Sequence, residues 1–252
     1  MKKSILFIFI IMNLFILLSG CSSHSFTKSY ERVKRASYNA VSDSVTVGAA
    51  LGASAVYLSG NDTKITNYFM EKQFLSNSFY GDYNRDDVMR TLNGLYVVAT
   101  ALAVSDDGNY TKKLKRVLVE EGALSVARVT TNVIKANTSK VSPNNENNNA
   151  LASHHALEPF TGAAMIRRNV ANIDVNEYAK RAVIGLNYYM VGYSSLLRVQ
   201  EGGHSFGDQL FNATMGNFLG IFMHDLFLLD ENIALNLSML DKNKEIQINY
   251  RF

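Results

Sequence analysis

The chain has 252 residues, a formal net charge of +3 at neutral pH and 47% hydrophobic residues. This length allows one large domain or two small ones, with enough apolar material for a sizeable core. The weak positive charge is not gathered in a basic run or an aromatic-rich basic patch, so the composition does not favour a nucleic acid as a partner.

The first twenty residues have the layout of an export signal. Two lysines precede an apolar stretch, and the sequence Leu18-Ser19-Gly20-Cys21 follows it. These four residues resemble the lipoprotein box of bacteria, which implies that the mature chain begins at a lipid-modified Cys21. A plain signal peptide or a membrane helix is the alternative, although the stretch is short for a membrane span. The lipoprotein interpretation predicts a bacterial cell-envelope protein facing the periplasm, and Ser22 favours the outer membrane by the same resemblance.

Seven helical segments are predicted along the rest of the chain from apolar spacing and from helix-terminus signals. They cover residues 39–62, 64–77, 84–109, 110–137, 157–170, 175–199 and 206–229. Gly122 is a candidate helix break, and Pro159 suits its helix only in the first turn. The asparagine-rich stretch 138–149 has no helical period and is predicted as a loop. Six or seven helices without strand–helix alternation predict an all-α helical bundle.

The predicted organisation has four parts. They are a lipoprotein signal peptide over residues 1–20, a polar tether over 21–37, a helical domain over 38–228 and a C-terminal extension over 229–252. In the extension, "IALNLSML" and "EIQINYRF" alternate apolar and polar residues on either side of "DKNK", which predicts a β-hairpin. Two strands cannot close into a membrane barrel, so the hairpin is expected to pack on the helical body or to dock to a partner.

The stretch from Arg198 to Asp208 combines signals for the end of one helix and the start of the next with candidate catalytic side chains. Two glycines are typical of a helix C-terminus, and Ser205 and Asp208 have the spacing of a capping box. His204 and Asp208 lie four residues apart, so Asp208 is expected to accept a hydrogen bond from His204 and to orient its ring. The planar fork of Arg198 suits a phosphate or a similar oxyanion.

A second candidate segment precedes the fifth predicted helix. The hydroxyl of Ser153, with the backbone N–H groups of a helix N-terminus, suits an anion site. Either His154 or His155 could protonate a leaving oxygen nearby. Lys135 and Lys140 supply positive charge on the approach to the asparagine-rich loop. By contrast, His224 lies in an apolar helix and is expected to be a core residue.

The spacing of residues 197–208 matches a known sequence motif. Arg198 is followed after five residues by His204 and after three more by Asp208, with Leu197 before the arginine. This resembles the Ser-Arg, five residues, His, three residues, Asp motif of the type 2 phosphatidic acid phosphatase superfamily, which includes bacterial acid phosphatases and vanadium haloperoxidases. The resemblance covers roughly residues 85–225 and implies a helical bundle with the site between helix ends.

The first two motifs of that superfamily are less well matched. For Pro-Ser-Gly-His, the chain keeps Ser153 and His155 but has alanine and His154 in place of proline and glycine. For Lys, six residues, Arg-Pro, it keeps Lys135 and the proline, with Ser142 in place of arginine. A lost phosphate-binding group can lower a rate by orders of magnitude. Lys140 and Arg128 are the candidates to replace the missing charge.

The resemblance implies a role for each matching residue. His204 would be the nucleophile that takes the phosphoryl group, Asp208 would orient it, and His155 would be the general acid. The groups that would bind the phosphate oxygens are Lys135, Ser153, Arg198 and the backbone near His154. The predicted activity is that of a lipid-anchored phosphatase without a metal or other cofactor, acting on a phosphomonoester or pyrophosphate. The membrane tether favours a lipid-linked substrate, because it raises the local concentration.

Three other functions remain open from the sequence. A vanadate-dependent haloperoxidase would share the site, with His204 bound to vanadium. A degenerate phosphatase-like lipoprotein would serve as a binding or envelope-assembly module, and the missing arginine favours it. A zinc site formed by His154, His155, His204 and Asp208 is disfavoured, because adjacent histidines on one helix point apart.

Overall fold

The computed structural model describes residues 23–73, 75, 85–104, 109–229, 235–236 and 247–248. Over these residues the chain is all-α apart from one pair of two-residue strands. The helices are α1 (Ser23–Val41), α2 (Ser44–Leu58), α3 (Asp62–Lys72), α4 (Arg85–Ala103), α5 (Tyr110–Asn137), α6 (His154–Ala171), α7 (Glu177–Gln200) and α8 (Phe206–Leu228). Strands β1 (Leu235–Asn236) and β2 (Gln247–Ile248) pair antiparallel, with Leu235 opposite Ile248.

Helix α6 is the centre of the bundle. It packs against α4, α5, α7 and α8, and most of its residues are buried. Its contact with α8 is the closest, because two glycines of α8 bring the backbones together. A Cβ atom on Gly216 would lie 2.4 Å from the carbonyl oxygen of Leu157, and one on Gly220 would lie 2.4 Å from that of Thr161. Residues 157–170 are therefore held firmly between helices.

Short polar side chains cap the N-termini of several helices. Asp43 accepts hydrogen bonds from the backbone N–H groups of Val45 and Thr46 at the start of α2. Asn109 and Asn176 cap α5 and α7 in the same way. Each cap satisfies N–H groups that have no partner inside the helix.

The N-terminal helices differ from the sequence prediction. The chain is already helical from Ser23, inside the segment predicted as a tether, and the predicted helix over 39–62 is broken at Ser42 and Asp43. Ala36 and Ala40, four residues apart, are buried and pack one face of the C-terminal part of α1 inward. The described chain therefore has eight helices instead of six or seven, and the all-α prediction is confirmed.

Helix α6 starts earlier than predicted. It begins at His154 instead of Leu157, which places Pro159 in the second turn, and the expectation for this proline was wrong. Because proline lacks an N–H, the carbonyl of His155 has no donor four residues along the helix. Helix α5 runs through Gly122 without a break, and residues 138–149 form the predicted loop.

Several predictions fall wholly or largely outside the described residues. The signal peptide and Cys21 lie there, and so does most of the predicted hairpin, of which only β1 and β2 are described. The hairpin and the domain boundaries stay predictions. No single helix in the described part of the chain is long and apolar enough to cross a membrane, but α1 and α2, bent by 58° at their junction, meet that length and composition together.

Candidate active site

The turn between α7 and α8 brings the first group of candidate residues together. Helix α7 ends at Gln200, and Gly202 takes a left-handed conformation with φ of +72°. Ser205 then caps α8: its hydroxyl accepts a bond from the Asp208 N–H, and the Asp208 carboxylate accepts one from the Ser205 N–H. The predicted capping box is therefore confirmed. His204 lies directly before it, at the N-terminus of α8.

His204 is buried and held by the backbone of a distant loop. Its Nδ1 lies 2.5 Å from the carbonyl oxygen of Ala150, so Nδ1 carries the hydrogen and Nε2 has the lone pair. Burial, together with the charges of Arg198, Lys135 and His155, lowers the pKa of His204 to about 4, against the opposing effect of the Ala150 carbonyl. The ring is therefore neutral at pH 7.

Two cations belong to the same site. The charges of Lys135 and Arg198 both act on His204, and burial together with the charge of Arg198 lowers the pKa of Lys135. Arg198 also pairs with Glu201, with Nη1 3.2 Å from Oε2. Glu201 offsets one of these two positive charges, so a net positive charge remains beside His204, and this arrangement suits an anionic ligand.

The N-terminus of α6 adds hydrogen-bond donors. Ser153 is completely buried and its backbone N–H donates to Oδ1 of Asn212 at 3.0 Å. Its hydroxyl makes no side-chain cap and has no hydrogen-bond partner among the described residues. A buried, unpaired hydroxyl is costly. Together with the helix N-terminus, it points to a ligand that would complete the site.

The two adjacent histidines of α6 have different surroundings. His154 Nε2 lies 3.0 Å from Oδ1 of Asn132, and burial lowers the pKa of His154 to about 4, with contributions from Lys135 and Arg90. His155 is half-buried and lies near enough to His204 to affect its pKa. The charge of His155, and not that of Asp208, thus affects the pKa of the His204 ring.

The expected hydrogen bond between His204 and Asp208 is not formed. Oδ1 of the fully buried Asp208 accepts bonds from the Tyr57 hydroxyl at 2.8 Å and from Lys140 Nζ at 2.6 Å, while Oδ2 serves the capping box. Its carboxylate is thus directed to α2 and the 138–149 loop, and the Ala150 carbonyl orients His204 instead. A backbone acceptor of this kind gives no signal in a sequence.

Neither candidate replacement for the missing arginine is available for that role. Lys140 lies between Asp208, the Ser205 hydroxyl and Asp62. Arg128 forms a two-pronged contact with Glu158, at 2.5 and 3.2 Å. Both cations are neutralised within the bundle.

Ser142, at the position of the missing arginine, is part of a tight turn. It is 2% exposed, and its hydroxyl donates to Oδ1 of Asn144 and accepts from the N–H of Asn147. The hydroxyl is therefore occupied within the loop. Without Lys140, Arg128 and Ser142, the candidate phosphate-binding groups are Lys135, Arg198, Ser153 and the N-terminus of α6.

Asn212 is a site residue that the sequence reasoning missed. It is fully buried, and its Nδ2 donates to the carbonyls of Leu151 and Asp208 while its Oδ1 accepts from Ser153. It therefore joins the His204 end of α8 to the loop that carries Ser153. The available signal was its position one helical turn after Asp208 in a largely apolar helix.

Comparison with protein-family models, curated proteins and solved structures finds no match for this chain. Within the described residues no group of three His, Cys, Asp or Glu side chains is arranged to hold a metal ion. His224 is buried between Arg116 and Asp225, as expected for a core residue.

Proposed function

We propose that this protein is a lipid-anchored envelope phosphatase, related to the type 2 phosphatidic acid phosphatase superfamily, that transfers a phosphoryl group to His204. The observation that carries the proposal is the buried His204 ring, oriented by the Ala150 carbonyl and accompanied by the cations Lys135 and Arg198. A neutral imidazole with a free Nε2 lone pair is a competent nucleophile, whereas an imidazolium is not.

In the first step, Nε2 of His204 attacks phosphorus and the bond from phosphorus to the leaving oxygen breaks. Lys135 and Arg198 balance the charge on the phosphate oxygens, and the Ser153 hydroxyl donates to one of them. His155, in its protonated form, gives its proton to the leaving oxygen. The products are the free alcohol and a phosphohistidine.

In the second step, a water molecule attacks the phosphohistidine. The neutral His155 left by the first step takes a proton from that water, and the phosphorus–nitrogen bond breaks to return the electron pair to Nε2. Inorganic phosphate leaves and His155 is protonated again. Asp208 acts indirectly in this scheme, because it caps α8 and holds Lys140 and Tyr57 beside the His204 turn.

An apolar cavity supports a substrate with a hydrocarbon part. The cavity, of about 350 Å³, lies between α4, α6 and α7 and is lined mainly by apolar side chains. Pro159 is one turn along α6 from His155, and Ser194 is one turn along α7 from Arg198, so the cavity begins one turn from both site residues. A lipid phosphate could place its head group at His204 and its chain here.

A second candidate is a phosphate-binding envelope module without turnover. It is favoured by the engagement of Lys140 and Arg128 in other ion pairs, which leaves the position of the missing arginine uncompensated. Such a protein would bind phosphate through Lys135, Arg198 and Ser153 but would not form a phosphohistidine.

The test is hydrolysis of p-nitrophenyl phosphate and of a short-chain phosphatidic acid by the full chain, with and without a chelator. His204→Asn is the sharpest variant, because the asparagine amide can still donate to Ala150 while Nε2 is lost. We expect a fall of roughly 10³-fold or more. Trapping with labelled phosphate should give an acid-labile, base-stable adduct that this variant lacks. Full activity of His204→Asn would refute the mechanism.

A matched pair of arginines on α7 separates site effects from general charge effects. Arg198→Ala should lower kcat/KM by roughly 10²-fold or more, whereas Arg181→Ala, an exposed position on the same helix, should leave it unchanged. If the wild-type chain binds phosphate by calorimetry but hydrolyses neither substrate, the binding module is the better description.

A further inference from the structure

The outward side of the first two helices carries an unusual apolar surface. We call this surface the outer α1–α2 face and define it by Val41, Val47, Leu51 and Leu58. All four are exposed, and the exposed fraction reaches 65% at Leu51 and 89% at Leu58. Single exposed apolar residues are normal on a protein, but a continuous stripe marks a surface that something else covers.

Helix α2 has the composition of a buried helix, although half of it is exposed. Its 15 residues, Ser44 to Leu58, include no charged side chain. Val47, Leu51 and Leu58 recur at spacings of four and seven, which places them on one side. The opposite side, with Thr46 and Ala53, is buried.

Both helices lie along the same side of α8, so their outward sides form one surface. Ala40 of α1 packs with Ile221, and Thr46 of α2 accepts a hydrogen bond from Asn217 at 2.8 Å. Further along α2, Tyr57 reaches Asp208. Helices α1 and α2 therefore run along α8 from its C-terminal half to its N-terminal end, and they are bent by 58° at their junction.

Charge distinguishes between possible partners for this face. Helix α1 contains four basic residues and one acidic residue, Glu31. The basic residues are Lys28, Arg32, Lys34 and Arg35. A basic amphipathic helix beside an apolar one matches an anionic lipid surface, where the cations meet head groups and the apolar side chains enter the acyl boundary.

We infer that the outer α1–α2 face docks on an anionic phospholipid bilayer. Helix α1 begins two residues after Cys21, so a lipid anchor there would hold the N-terminal end of α1 close to the membrane. The inference rests on that proposed anchor but not on the phosphatase chemistry. It also places the Leu58 end of the face beside the candidate site, since the neighbouring Tyr57 donates to Asp208 at 2.8 Å.

The test uses the single cysteine of the chain. If lipid occupies Cys21, a cysteine introduced by Leu51→Cys is the only free thiol and can carry a polarity-sensitive fluorophore. The labelled full chain is reconstituted in phosphatidylglycerol-rich or phosphatidylcholine vesicles. Tyr178→Cys, at an 84% exposed position on α7, is the matched control.

We expect the Leu51→Cys label to be quenched by bromine-labelled lipids and protected from aqueous iodide, more strongly in the anionic vesicles. The Tyr178→Cys label should show neither effect. Equal behaviour of the two labels would overturn the inference. Protection from iodide without vesicles that grows with protein concentration would also overturn it, because a second copy of the chain would then cover the face.

Charge reversal tests the electrostatic part. Lys34→Glu with Arg35→Glu should reduce the docked population on anionic vesicles by at least roughly 25-fold, since each lost basic residue near such a surface contributes about fivefold and each new carboxylate adds repulsion. Unchanged docking would overturn the anionic-lipid assignment. Mass spectrometry of Cys21 separates failure of the anchor from failure of docking, because an unmodified Cys21 would itself take up the label.

Discussion

The ammonium group of Lys140 lies 2.6 Å from Oδ1 of Asp208, a residue with no exposed surface. The same carboxylate caps α8 and receives the Tyr57 hydroxyl. Burial and the negative charge of Asp208 raise the pKa of Tyr57. The pair therefore fixes the meeting point of α2, α8 and the 138–149 loop, next to His204.

Removing Lys140 should destabilise the fold, because it leaves a buried carboxylate without its cation. We expect Lys140→Met to lower the free energy of unfolding by about 2 kcal/mol, less than for a fully buried pair because a third of Lys140 is exposed. Urea unfolding measures this. Adding Asp208→Asn should recover part of the loss, and a purely additive double variant would contradict the coupling.

Protonation of His204 should destabilise the protein in mild acid. An unfolded histidine has a pKa near 6.5, whereas burial lowers the folded pKa of His204 to about 4. Between these values the unfolded chain binds more protons, so the free energy of unfolding falls as pH falls from 6.5 to 4. His204→Asn removes this titration, and its Tm should drop less between pH 6.5 and 4.5. An identical drop would count against the assignment.

Glu120 should have the opposite effect on stability, between pH 4.5 and 8. Burial raises its pKa to about 8, against the hydrogen bond from Asn169 and the charge of Arg116. Between pH 4.5 and 8 the folded chain therefore binds more protons, and stability falls as pH rises. Glu120→Gln should flatten the Tm between pH 5 and 8. Glu71→Gln, at an exposed position on α3, is the control and should not change the slope.

The close approach of α6 and α8 should make Gly216 intolerant of a side chain. Gly216→Ala forces a methyl group against the Leu157 carbonyl, and we expect a loss of about 1–3 kcal/mol. At Gly185 a Cβ would meet nothing within 4 Å, so Gly185→Ala should instead stabilise α7 by about 0.5–1 kcal/mol. Losses of equal size at the two positions would mean that helix packing is not the cause.

Introducing at position 142 the arginine that the proposed superfamily relation implies should not improve activity. Ser142 is buried and its hydroxyl holds the turn to Asn144 and Asn147, so Ser142→Arg cannot be placed without opening the loop. We expect a lower Tm and no gain in hydrolysis of p-nitrophenyl phosphate. A higher rate with an unchanged Tm would show that the loop accommodates the arginine and that the site lacks only this charge.

The sequence by itself determined the local features of this protein. Helical spacing identified most of the helices, and the Ser205–Asp208 spacing identified the capping box, because both depend on residues a turn apart. It also singled out Lys135, Ser153, Arg198 and His204, since their residue types and order match a known pattern. It did not predict the break between α1 and α2 or the start of α6 at His154.

Tertiary structure alone decided the partners of these residues. Asp208 lies four residues from His204, yet its carboxylate bonds to Tyr57, 151 residues away, and to Lys140, 68 residues away. His204 is oriented by the carbonyl of Ala150, which any residue at that position would supply. Side-chain direction and burial are properties of the packed bundle. They give Asp208 a role in holding the helices together, whereas the neutral His204 ring remains a candidate site residue.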